Sequence, residues 1–379
     1  MNNLHIVLNN FKNDARILRE TETISKLNIF NKIFVAAILE KESNEYEDDL
    51  YRSIWRVRIR TKKLSKRLIP QLLKYFEWKI RIVNRFSKEG IDIVHCHDLN
   101  ALPVGVALKK RKKNTKLIYD AHELETERNG QKGIRKVLSK YIEKSLLKYV
   151  DAMITVSPSI QEWYFNEYNR KTILLRNTPD RIDFNEIDNR YDLKNEFGIL
   201  GKELLFIYQG RIASGRGIKE LIEVFKKVNK DKHIVFLGDG PLVDYVKSNA
   251  TTNIHYKSSV LSTEVIYYVA SADIGISYIN ATSLSYKYSL PNKLFEQWQA
   301  LLPVIVNNLP DQKYLVEKYN AGWVFENPAD LEGFIGRITK KDIIDKQQGV
   351  ESAKNELNWE QESLKLKALY KNLSLLCST

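Results

Sequence analysis

Short apolar runs rich in β-branched residues alternate with amphipathic helical patterns along the whole chain. This alternation is typical of parallel α/β units, in which each strand is followed by a helix that covers the sheet. The first series of runs predicts strands at residues 4–8, 32–38, 54–59, 91–96, 116–120, 152–156 and 172–175. A second series predicts strands at residues 204–209, 233–237, 253–256, 273–277, 303–306 and 322–325. We therefore predict an α/β fold with two doubly wound, Rossmann-like domains that face each other across a cleft.

A polar segment separates the two series. It begins at Asn177-Thr178-Pro179-Asp180 and continues, rich in acidic side chains, to about residue 195, and such stretches commonly link domains. We expect the first domain at residues 1–178 and the second at residues 179–356. Because ligands of doubly wound sheets bind beyond the carboxyl ends of the strands, function is expected in the loops that follow them.

Length and composition narrow the class of protein. The chain has 379 residues, which is more than one hydrophobic core usually supports. Its two cysteines, Cys96 and Cys377, fit a reducing compartment and no metal cage. The sequence has no apolar run of about twenty residues, and its N-terminus reads as a strand and not as a signal peptide. We expect a cytoplasmic protein.

Positive charge is concentrated in one segment. The net charge is +13, and residues 52–86 carry twelve basic side chains against one acid, Glu77. After Pro70 the apolar residues recur at near-helical spacing, and a basic amphipathic helix of this kind suits anionic lipid headgroups. The alternative is a helix with its apolar face in the core and its charges in water. Nucleic acid is not expected, because no nucleic-acid-binding motif accompanies the charge. The basic residues are Arg52, Arg56, Arg58, Arg60, Lys62, Lys63, Lys66, Arg67, Lys74, Lys79, Arg81 and Arg85.

The polar loop after the first strand contains Asn13, Asp14 and Arg16. Either Asn13 or Asp14 can cap the helix that follows. The same loop can also line the cleft and contact a sugar substrate bound there. The capping role and the binding role both stay open.

Two later strands of the first domain run into a histidine and an acid, at His97-Asp98 and at His122-Glu123. A histidine at such a strand end can carry a proton or donate a hydrogen bond to a sugar hydroxyl, although a lone histidine is more often structural. The spacing of these side chains matches no recognised ligand pattern, so no metal is expected.

The second domain has a loop suited to phosphate. Gly210 and Arg211 follow the strand at 204–209, and Arg216 precedes the next helix. Glycine permits close backbone approach, and arginine offers a planar fork for a diphosphate. The alternative is a glycine-capped helix entrance with solvated arginines. The turn at Gly238 is weak evidence by itself.

A proline-led helix follows later in the second domain. Pro291 leaves the first-turn N–H groups of that helix free, and these groups with the positive end of the helix dipole favour phosphate. Asn292, Lys293 and Leu294 form this turn, and Lys293 can neutralise the bound anion. Glu296, about one turn further on, can accept hydrogen bonds from ribose hydroxyls. An ordinary capped helix with a surface Glu-Lys pair is the alternative.

Together these motifs resemble the family 4 glycosyltransferases, which have the GT-B fold. In the second half the resemblance rests on Tyr-Gln-Gly-Arg (208–211), Leu-Gly-Asp-Gly-Pro-Leu (237–242), residues 270–277 and Pro-Asn-Lys-Leu-Phe-Glu (291–296). In the first half it rests on Asn-Asp-Ala-Arg (13–16), the two histidine loops and Ile-Thr-Val-Ser (154–157). The resemblance spans nearly the whole chain and includes a helix at about 357–379 that, in this family, crosses back to the N-terminal domain.

The resemblance implies transfer of a sugar from a nucleotide-diphosphate donor, UDP- or GDP-linked, to an acceptor hydroxyl. It also implies retention at the anomeric carbon, with no required cofactor and no bound metal. Arg211 and Arg216 match the basic pair on the donor phosphates, Glu296 matches the ribose ligand, and His122 matches the histidine near the reacting centre. Tyr288 stands where the family usually has the first Glu of its Glu-x7-Glu motif. The chain therefore departs from the family at the residue expected to hold the donor sugar.

The resemblance and the loops define the expected site. The expected catalytic residues are His122, Glu296, Arg211 and Arg216. The expected donor-binding residues are Gly210, Arg211, Arg216, Gly238, Asn292, Lys293, Leu294 and Glu296. The expected acceptor-binding residues are Asn13, Asp14, Arg16, His97, Asp98, His122 and Glu123.

Two other functions stay open on the sequence alone: a sugar-nucleotide epimerase of similar fold, and a catalytically silent subunit that binds a glycan or a lipid. The basic segment 52–86 favours an anionic membrane surface as a partner. It also favours an acceptor from cell-envelope, capsule or O-antigen polysaccharide synthesis, with the chain peripheral on the inner face of the membrane.

Overall fold

The chain forms two compact units in the computed structural model, which describes residues 1–12, 14–40, 43–65, 67–183 and 191–378. Unit 1 contains Met1–Arg176 together with Ser363–Thr379, and unit 2 contains Asn177–Glu362. Residues 184–190 of the predicted linker lie outside the described residues.

Unit 1 is built on an eight-stranded sheet. Its strands are β1 Asn2–Ile6, β2 Lys32–Ile38, β3 Tyr46–Asp48, β4 Ser53–Val57, β5 Ile93–His97, β6 Lys116–Ala121, β7 Ala152–Thr155 and β8 Ile173–Leu174. They lie in the order β3-β4-β2-β1-β5-β6-β7-β8, and all neighbours are parallel except β3 with β4. Because the order reverses between β1 and β5, the carboxyl ends of these two strands form a topological switch point, where doubly wound sheets bind ligands.

Helices connect and cover the strands of unit 1. They are α1 Ala15–Ser25, α2 Leu68–Phe86, α3 Asp98–Arg111, α4 Gly133–Leu147 and α5 Pro158–Tyr168, with single 3₁₀ turns at Arg60–Lys63 and Glu125–Glu127.

Unit 2 contains a six-stranded parallel sheet. Its strands are β9 Leu204–Gln209, β10 Lys232–Leu237, β11 Ile254–Lys257, β12 Ile274–Ser277, β13 Val304–Asn307 and β14 Gly322–Phe325. They lie in the order β11-β10-β9-β12-β13-β14, so the switch point of this sheet is between β9 and β12.

The described residues contain eleven further helices. They are α6 Leu193–Glu196, α7 Ile218–Lys227, α8 Val243–Ser248, α9 Val265–Ala270, α10 Leu284–Lys287, α11 Asn292–Gln299, α12 Pro310–Tyr319, α13 Pro328–Arg337, α14 Lys340–Ile344, α15 Gln347–Glu356 and α16 Trp359–Ser378. Helix α16 begins in unit 2 and belongs to unit 1 from Ser363 onward.

Two-sided burial explains why the strands of unit 2 read as continuous apolar runs. Phe206 and Tyr208 of β9 pack with Phe225 of α7 in one hydrophobic cluster. Leu205 and Ile207 of the same strand belong to a second cluster. Successive side chains of a strand point to opposite faces, so a parallel strand that is covered on both faces needs apolar residues throughout.

The predicted α/β fold is confirmed. Every predicted strand is present, and strand ends shift by about two residues at most. The pattern missed β3, whose three side chains are all exposed. This short strand pairs antiparallel with β4 at the sheet edge. Backbone pairing with β4 determines where β3 lies. Because none of its side chains is buried, β3 lacks the alternation of apolar and polar residues by which a half-buried strand is predicted.

Helix α2 divides its apolar side chains between the core and solvent. Trp78 and Phe86 are buried, whereas Ile69 and Phe76 are 71% and 50% exposed. One face therefore belongs to the core, as the simpler interpretation predicts, while a second apolar stripe is left in solvent. Lys66 lies outside the described residues. None of the helices that the structure describes is both long enough and apolar enough to cross a bilayer.

Candidate active site

Unit 2 holds a cavity of about 570 Å³ beside the ends of β9 and β10 and the start of α11. Of the expected donor-binding residues, the following line it: Gly210, Arg211, Arg216, Gly238, Asn292, Lys293 and Glu296. Leu294 is not among the lining residues, because its side chain is fully buried in a core cluster. Its expected part in donor binding stays a prediction, through the backbone amide in the first turn of α11.

Backbone contacts hold two glycine loops together at this cavity. The Gly210 amide donates to the Leu237 carbonyl at 2.9 Å, and the Ile212 amide donates to the Asp239 carbonyl at 2.9 Å. Gly238 has a φ of 150°, and a Cβ atom at this position would lie 2.0 Å from the Gly210 carbonyl oxygen. A side chain at residue 238 would therefore push the loops apart.

Two glutamines orient the carboxylate of Glu296. Gln209 Nε2 donates to Glu296 Oε2 at 3.4 Å, and Gln297 Nε2 donates to Gln209 Oε1 at 2.7 Å. Gln297 also donates to the Ile276 carbonyl at 3.2 Å, so the pair is anchored to β12. The carboxylate is thereby held at the cavity wall, where it can accept hydrogen bonds from hydroxyl groups.

Two cations of the cavity rest on aromatic rings. The Arg216 guanidinium lies 4.9 Å from the centroid of the Tyr286 ring, and Lys293 Nζ lies 3.5 Å from that of Tyr208. Among the described residues, the buried Lys293 Nζ has no hydrogen-bond partner. Burial and the nearby Arg216 charge lower the pKa of Lys293 well below its usual value, against the opposing effect of Glu296. An entering diphosphate would supply the negative charge that favours the protonated form of this buried amino group and would accept its hydrogen bonds.

Both helices that begin at this cavity lack a side-chain cap. Helix α11 starts after Pro291, and α7 starts after Gly217, which has a φ of 71°. A Cβ atom at Gly217 would lie 2.3 Å from the Tyr278 ring. The first-turn amides and the positive dipole ends of the two helices add to the attraction for an anion.

In unit 1 the buried carboxylate of Asp120, near the end of β6, is the centre of a charged network. Arg16 Nε and Nη2 donate to its two oxygens at 2.9 Å each. His122 Nε2 lies 3.1 Å and His97 Nδ1 3.5 Å from Asp120 Oδ2. Arg16 also forms an ion pair with Glu20 at 2.9 Å. The contacts with Arg16 and His122 offset the cost of burying the Asp120 carboxylate, whereas burial raises the pKa of Glu20 to about 8 against the effect of Arg16.

Further ring contacts extend this network across the sheet. His5 Nδ1 and His97 Nε2 lie 2.9 Å apart, and His97 Nδ1 and His122 Nε2 lie 3.2 Å apart. His95 Nδ1 lies 2.9 Å from the hydroxyl of Tyr370 on α16. The histidines of β1, β5 and the β6 loop are thus linked into one chain of hydrogen bonds.

Sequence reasoning missed several members of this network. His5 interrupts an apolar strand and Glu20 interrupts the apolar face of α1, so both carried a signal of burial with a partner. Tyr370 carried none, because it comes from the far end of the chain. Among the described residues, two clusters that share His97 bring together side chains of the types that can bind a metal ion. One contains His5, Glu20, His95 and His97, and the other contains His97, Asp120 and His122. Their spacing along the chain matches no recognised metal-binding pattern.

Burial and nearby acids set the charges of the histidines. Burial disfavours the charged form of His122, but the carboxylates of Asp98 and Asp120 outweigh it and raise the pKa of His122 to about 10. Burial and His95 lower the pKa of His97 well below its usual value. At neutral pH His122 is therefore an imidazolium that donates hydrogen bonds, while His97 is neutral.

The loop after β1 has a structural role. Asp14 caps α1 by accepting a hydrogen bond from the Ile17 amide at 3.3 Å. Arg16 is buried against Asp120, where it positions that carboxylate and is closed to an acceptor. Asn13 lies outside the described residues.

The other expected acceptor residues lie where β5 and β6 end. His97 is buried, whereas the His122 side chain is 23% exposed. Asp98 accepts a hydrogen bond from the His122 amide at 3.1 Å, and Glu123 pairs with Arg128. His122, Asp98 and Glu123 are therefore the members of this group that are open to a ligand.

Replacing Arg16 with Gln should lower the free energy of unfolding of unit 1 by about 3–5 kcal/mol, because it leaves Asp120 buried with too few partners. Lys26 on the same helix pairs with Glu22 in solvent, and its replacement with Gln should change stability by less than about 1 kcal/mol. Urea unfolding of the two variants measures both effects. Equal losses would contradict the assigned role of Arg16.

His122 should stay protonated in the folded protein at pH 7.5. Because its folded pKa of about 10 exceeds the ordinary value of 6.5, the stability it contributes is complete below pH 6.5 and is lost as the pH rises through 10. Nitrogen NMR of the imidazole measures this directly, and Asp98→Asn should move the pKa down. His255, whose pKa is lowered to about 4 by burial and by His233, is the internal control. A His122 titration at 6.5 would contradict the assignment.

Two family models match the chain on either side of the linker. The model for Glycosyltransferase Family 4 matches residues 34–177, and the model for Glycosyl transferases group 1 matches residues 203–340. No curated protein matches the sequence.

Solved structures with a similar fold cover nearly the whole chain. Sucrose-phosphate synthase from Thermosynechococcus elongatus has a TM-score of 0.79 at 15% identity, with all of both chains covered. HepE of Anabaena, solved with UDP and glucose, has a TM-score of 0.74 at 14% identity, with 98% of this chain and 100% of HepE covered. WaaG, described as a glycosyltransferase involved in lipopolysaccharide biosynthesis, has a TM-score of 0.67 at 13% identity, with 99% of each chain covered.

At sequence identities this low, the solved structures establish a shared fold only. The two family models establish the functional class. The first model lies within the sheet and helices of unit 1 up to the linker, and the second spans most of unit 2. The chain is a glycosyltransferase with the GT-B fold, in which unit 1 carries the match to Glycosyltransferase Family 4 and unit 2 the match to Glycosyl transferases group 1.

Proposed function

We propose that this glycosyltransferase moves a sugar from a nucleotide-diphosphate sugar to an acceptor hydroxyl, with retention at the anomeric carbon. The observation that carries the proposal is the buried amino group of Lys293, which has no hydrogen-bond partner among the described residues, at a cavity that Arg211 and Arg216 also line. A diphosphate is the ligand class that pairs with two guanidinium groups and favours the protonated form of a lysine beside them. Retention is proposed from the family resemblance.

The donor binds in the cavity of unit 2. Its diphosphate is held by Arg211, Arg216 and Lys293 with the first-turn amides of α11, and its ribose hydroxyls donate to Glu296. As the bond between sugar and phosphate breaks, the same cations stabilise the growing negative charge on the leaving diphosphate, which is the work a metal ion does elsewhere. We therefore propose transfer without a metal. HepE, a protein of similar fold, was solved with UDP, which favours UDP over GDP.

The acceptor is oriented by His122 of unit 1. An imidazolium is a donor and a poor base, so His122 holds an acceptor or donor hydroxyl by donating to its oxygen. The leaving phosphate then takes the acceptor proton. Asp98 and Glu123 offer acceptor oxygens to neighbouring hydroxyls, while Arg16 and His97 position the network beneath them.

A role in cell-envelope, capsule or O-antigen polysaccharide synthesis fits the basic segment 52–86. Its exposed stripe on α2 and its exposed basic side chains suit an anionic membrane surface, whereas Arg52 and Arg56 are buried and pair with Asp49 and Glu47. WaaG, of similar fold, is described as acting in lipopolysaccharide biosynthesis. The protein would then work in the cytoplasm, peripheral on the inner face of the membrane.

Replacing Arg211 with Ala should reduce kcat/KM for donor turnover by about 10²–10³-fold, because one electrostatic contact to the transition state is lost. Arg337, an exposed arginine at the end of α13, is the matched control, and its replacement with Ala should leave turnover unchanged. Release of UDP from UDP-sugars, with and without acceptor glycans, is the assay.

The donor base is identified by thermal shifts with UDP and GDP. UDP should stabilise the protein, by about 2.7 kcal/mol at one hundred times its dissociation constant, and Glu296→Gln should weaken that effect. No shift with any nucleotide diphosphate would contradict the proposed donor site.

Binding of UDP should draw protons from solution at a pH that lies between the pKa of Lys293 without UDP and its pKa in the complex. Burial and the nearby Arg216 charge lower the pKa of Lys293, whereas a diphosphate beside it favours the charged form and raises that pKa. Calorimetry in buffers of different ionisation enthalpy measures the uptake. It should disappear in Lys293→Met and persist in Lys287→Met, which alters an exposed lysine of α10. Uptake that persists in Lys293→Met would place the titrating group elsewhere.

A further inference from the structure

Helix α4 of unit 1 exposes its apolar side chains. Ile134, Val137, Leu138 and Tyr141 are 86%, 69%, 55% and 71% exposed. Their spacing of three and four residues places them on one side of the helix. These four side chains are called the α4 face. An amphipathic helix of a globular protein normally turns its apolar face toward the core. Helix α4 instead turns this face toward solvent.

The opposite side of α4 attaches to unit 1 through polar contacts. Glu143 is fully buried and accepts hydrogen bonds from the hydroxyls of Tyr119 and Tyr164 at 2.9 and 2.7 Å. Lys136 and Lys140 form ion pairs with Glu127 at 2.6 and 3.1 Å. These contacts fix the rotation of the helix about its axis, and they leave the α4 face without a partner in the described part of the chain.

Cations border the α4 face. Arg135, Lys144 and Lys148 are exposed beside it. Glu143, the one acid within α4, is buried on the far side. An apolar stripe with basic flanks is the pattern of a helix that lies in the plane of an anionic membrane surface.

A second exposed stripe lies on a nearby helix of the same unit. Ile69, Leu72 and Phe76 of α2 are 71%, 47% and 50% exposed. Helices α2 and α4 both pack against α3, so two apolar stripes with basic flanks occur in one helical layer.

We propose that the α4 face is a docking surface for anionic lipid. Its apolar side chains enter the boundary between headgroups and acyl chains, and Arg135, Lys144 and Lys148 contact the phosphates. A second copy of the chain is a poorer occupant, because a symmetric contact would bring the same cations of both copies together. This docking does not depend on the proposed transfer reaction, and it adds a surface that is separate from the basic segment 52–86.

Vesicle flotation of the full chain tests the proposal. The vesicles contain phosphatidylcholine with or without phosphatidylglycerol. The wild type should float with the anionic vesicles, and the triple variant Ile134→Ser, Val137→Ser, Tyr141→Ser should partition at least about tenfold less. The control variant Leu375→Ser, Leu376→Ser removes two apolar side chains of α16 that are 69% and 56% exposed, and it should float like the wild type.

A fluorescent label reports the docking surface directly. An environment-sensitive dye at Val137→Cys, in a Cys377→Ser background with Cys96 buried, should shift to the blue when anionic vesicles are added. The same dye at Lys226→Cys on α7 should not shift. Flotation without a shift at residue 137 would place docking on another surface and overturn the proposal.

Two other results would also overturn the proposal: no flotation of the wild type, or a dimer in light scattering that the triple variant abolishes while neither protein floats. Circular dichroism and the UDP thermal shift should be unchanged in the triple variant, which shows that it folds. A wild type that docks through residue 137 but gives no UDP shift would refute the proposed donor site and leave the lipid surface intact.

Discussion

The fully buried carboxylate of Asp120 is the constraint on which unit 1 depends. A carboxylate in the protein interior is tolerated only with close partners, and here those partners come from different elements. Arg16 reaches it from α1 and His122 from the loop after β6. Since Arg16 Nη1 also donates to the Leu175 carbonyl just beyond β8 at 3.1 Å, one guanidinium ties the helix after β1 to the edge of the sheet. Together with Asp98, the same carboxylate keeps His122 protonated, so Asp120 contributes to both the stability and the electrostatics of this strand end.

The buried ionisable side chain at the cavity of unit 2 is paired differently from Asp120 of unit 1. In unit 1 the buried carboxylate of Asp120 already meets its cations, Arg16 and His122. In unit 2 Lys293 Nζ is buried over the Tyr208 ring and has no hydrogen-bond partner among the described residues. An amino group that folding has already desolvated loses little water when an anion binds and protonates it, so the resulting pair is stronger than one formed by a solvated lysine. The unfavourable free energy of desolvating Lys293 is therefore part of folding, and it does not weaken the binding of the ligand.

The sequence predicted the elements better than it predicted the contacts. Strands of a parallel sheet are apolar on both faces, so their positions could be found without alignment of relatives, and the glycine and proline of the second half marked the loops at the cavity. A motif names neighbours along the chain, while a helix turns each neighbour to a different side, so the motif alone did not show that the Leu294 side chain is buried away from the cavity. Partners such as His5 and Tyr370 were missed because they lie far apart in the chain, and only the topology brings them together. The charge of His122 depends on Asp98 and Asp120 at short range, which no spacing rule contains.

Helices α2 and α4 show a related limit of sequence reasoning. A period of 3.6 residues establishes that a helix has an apolar side, but it does not establish the direction in which that side points. In α4 the direction is decided by Glu143 and its tyrosine partners, since a buried carboxylate with good donors can hold a helix as firmly as apolar packing does. The fold therefore places a buried polar contact where a leucine would have been the simpler choice, and the result is an apolar face in water. Such an arrangement loses the stabilisation that burying Ile134, Val137, Leu138 and Tyr141 against the protein would supply, and an occupant for that face recovers it.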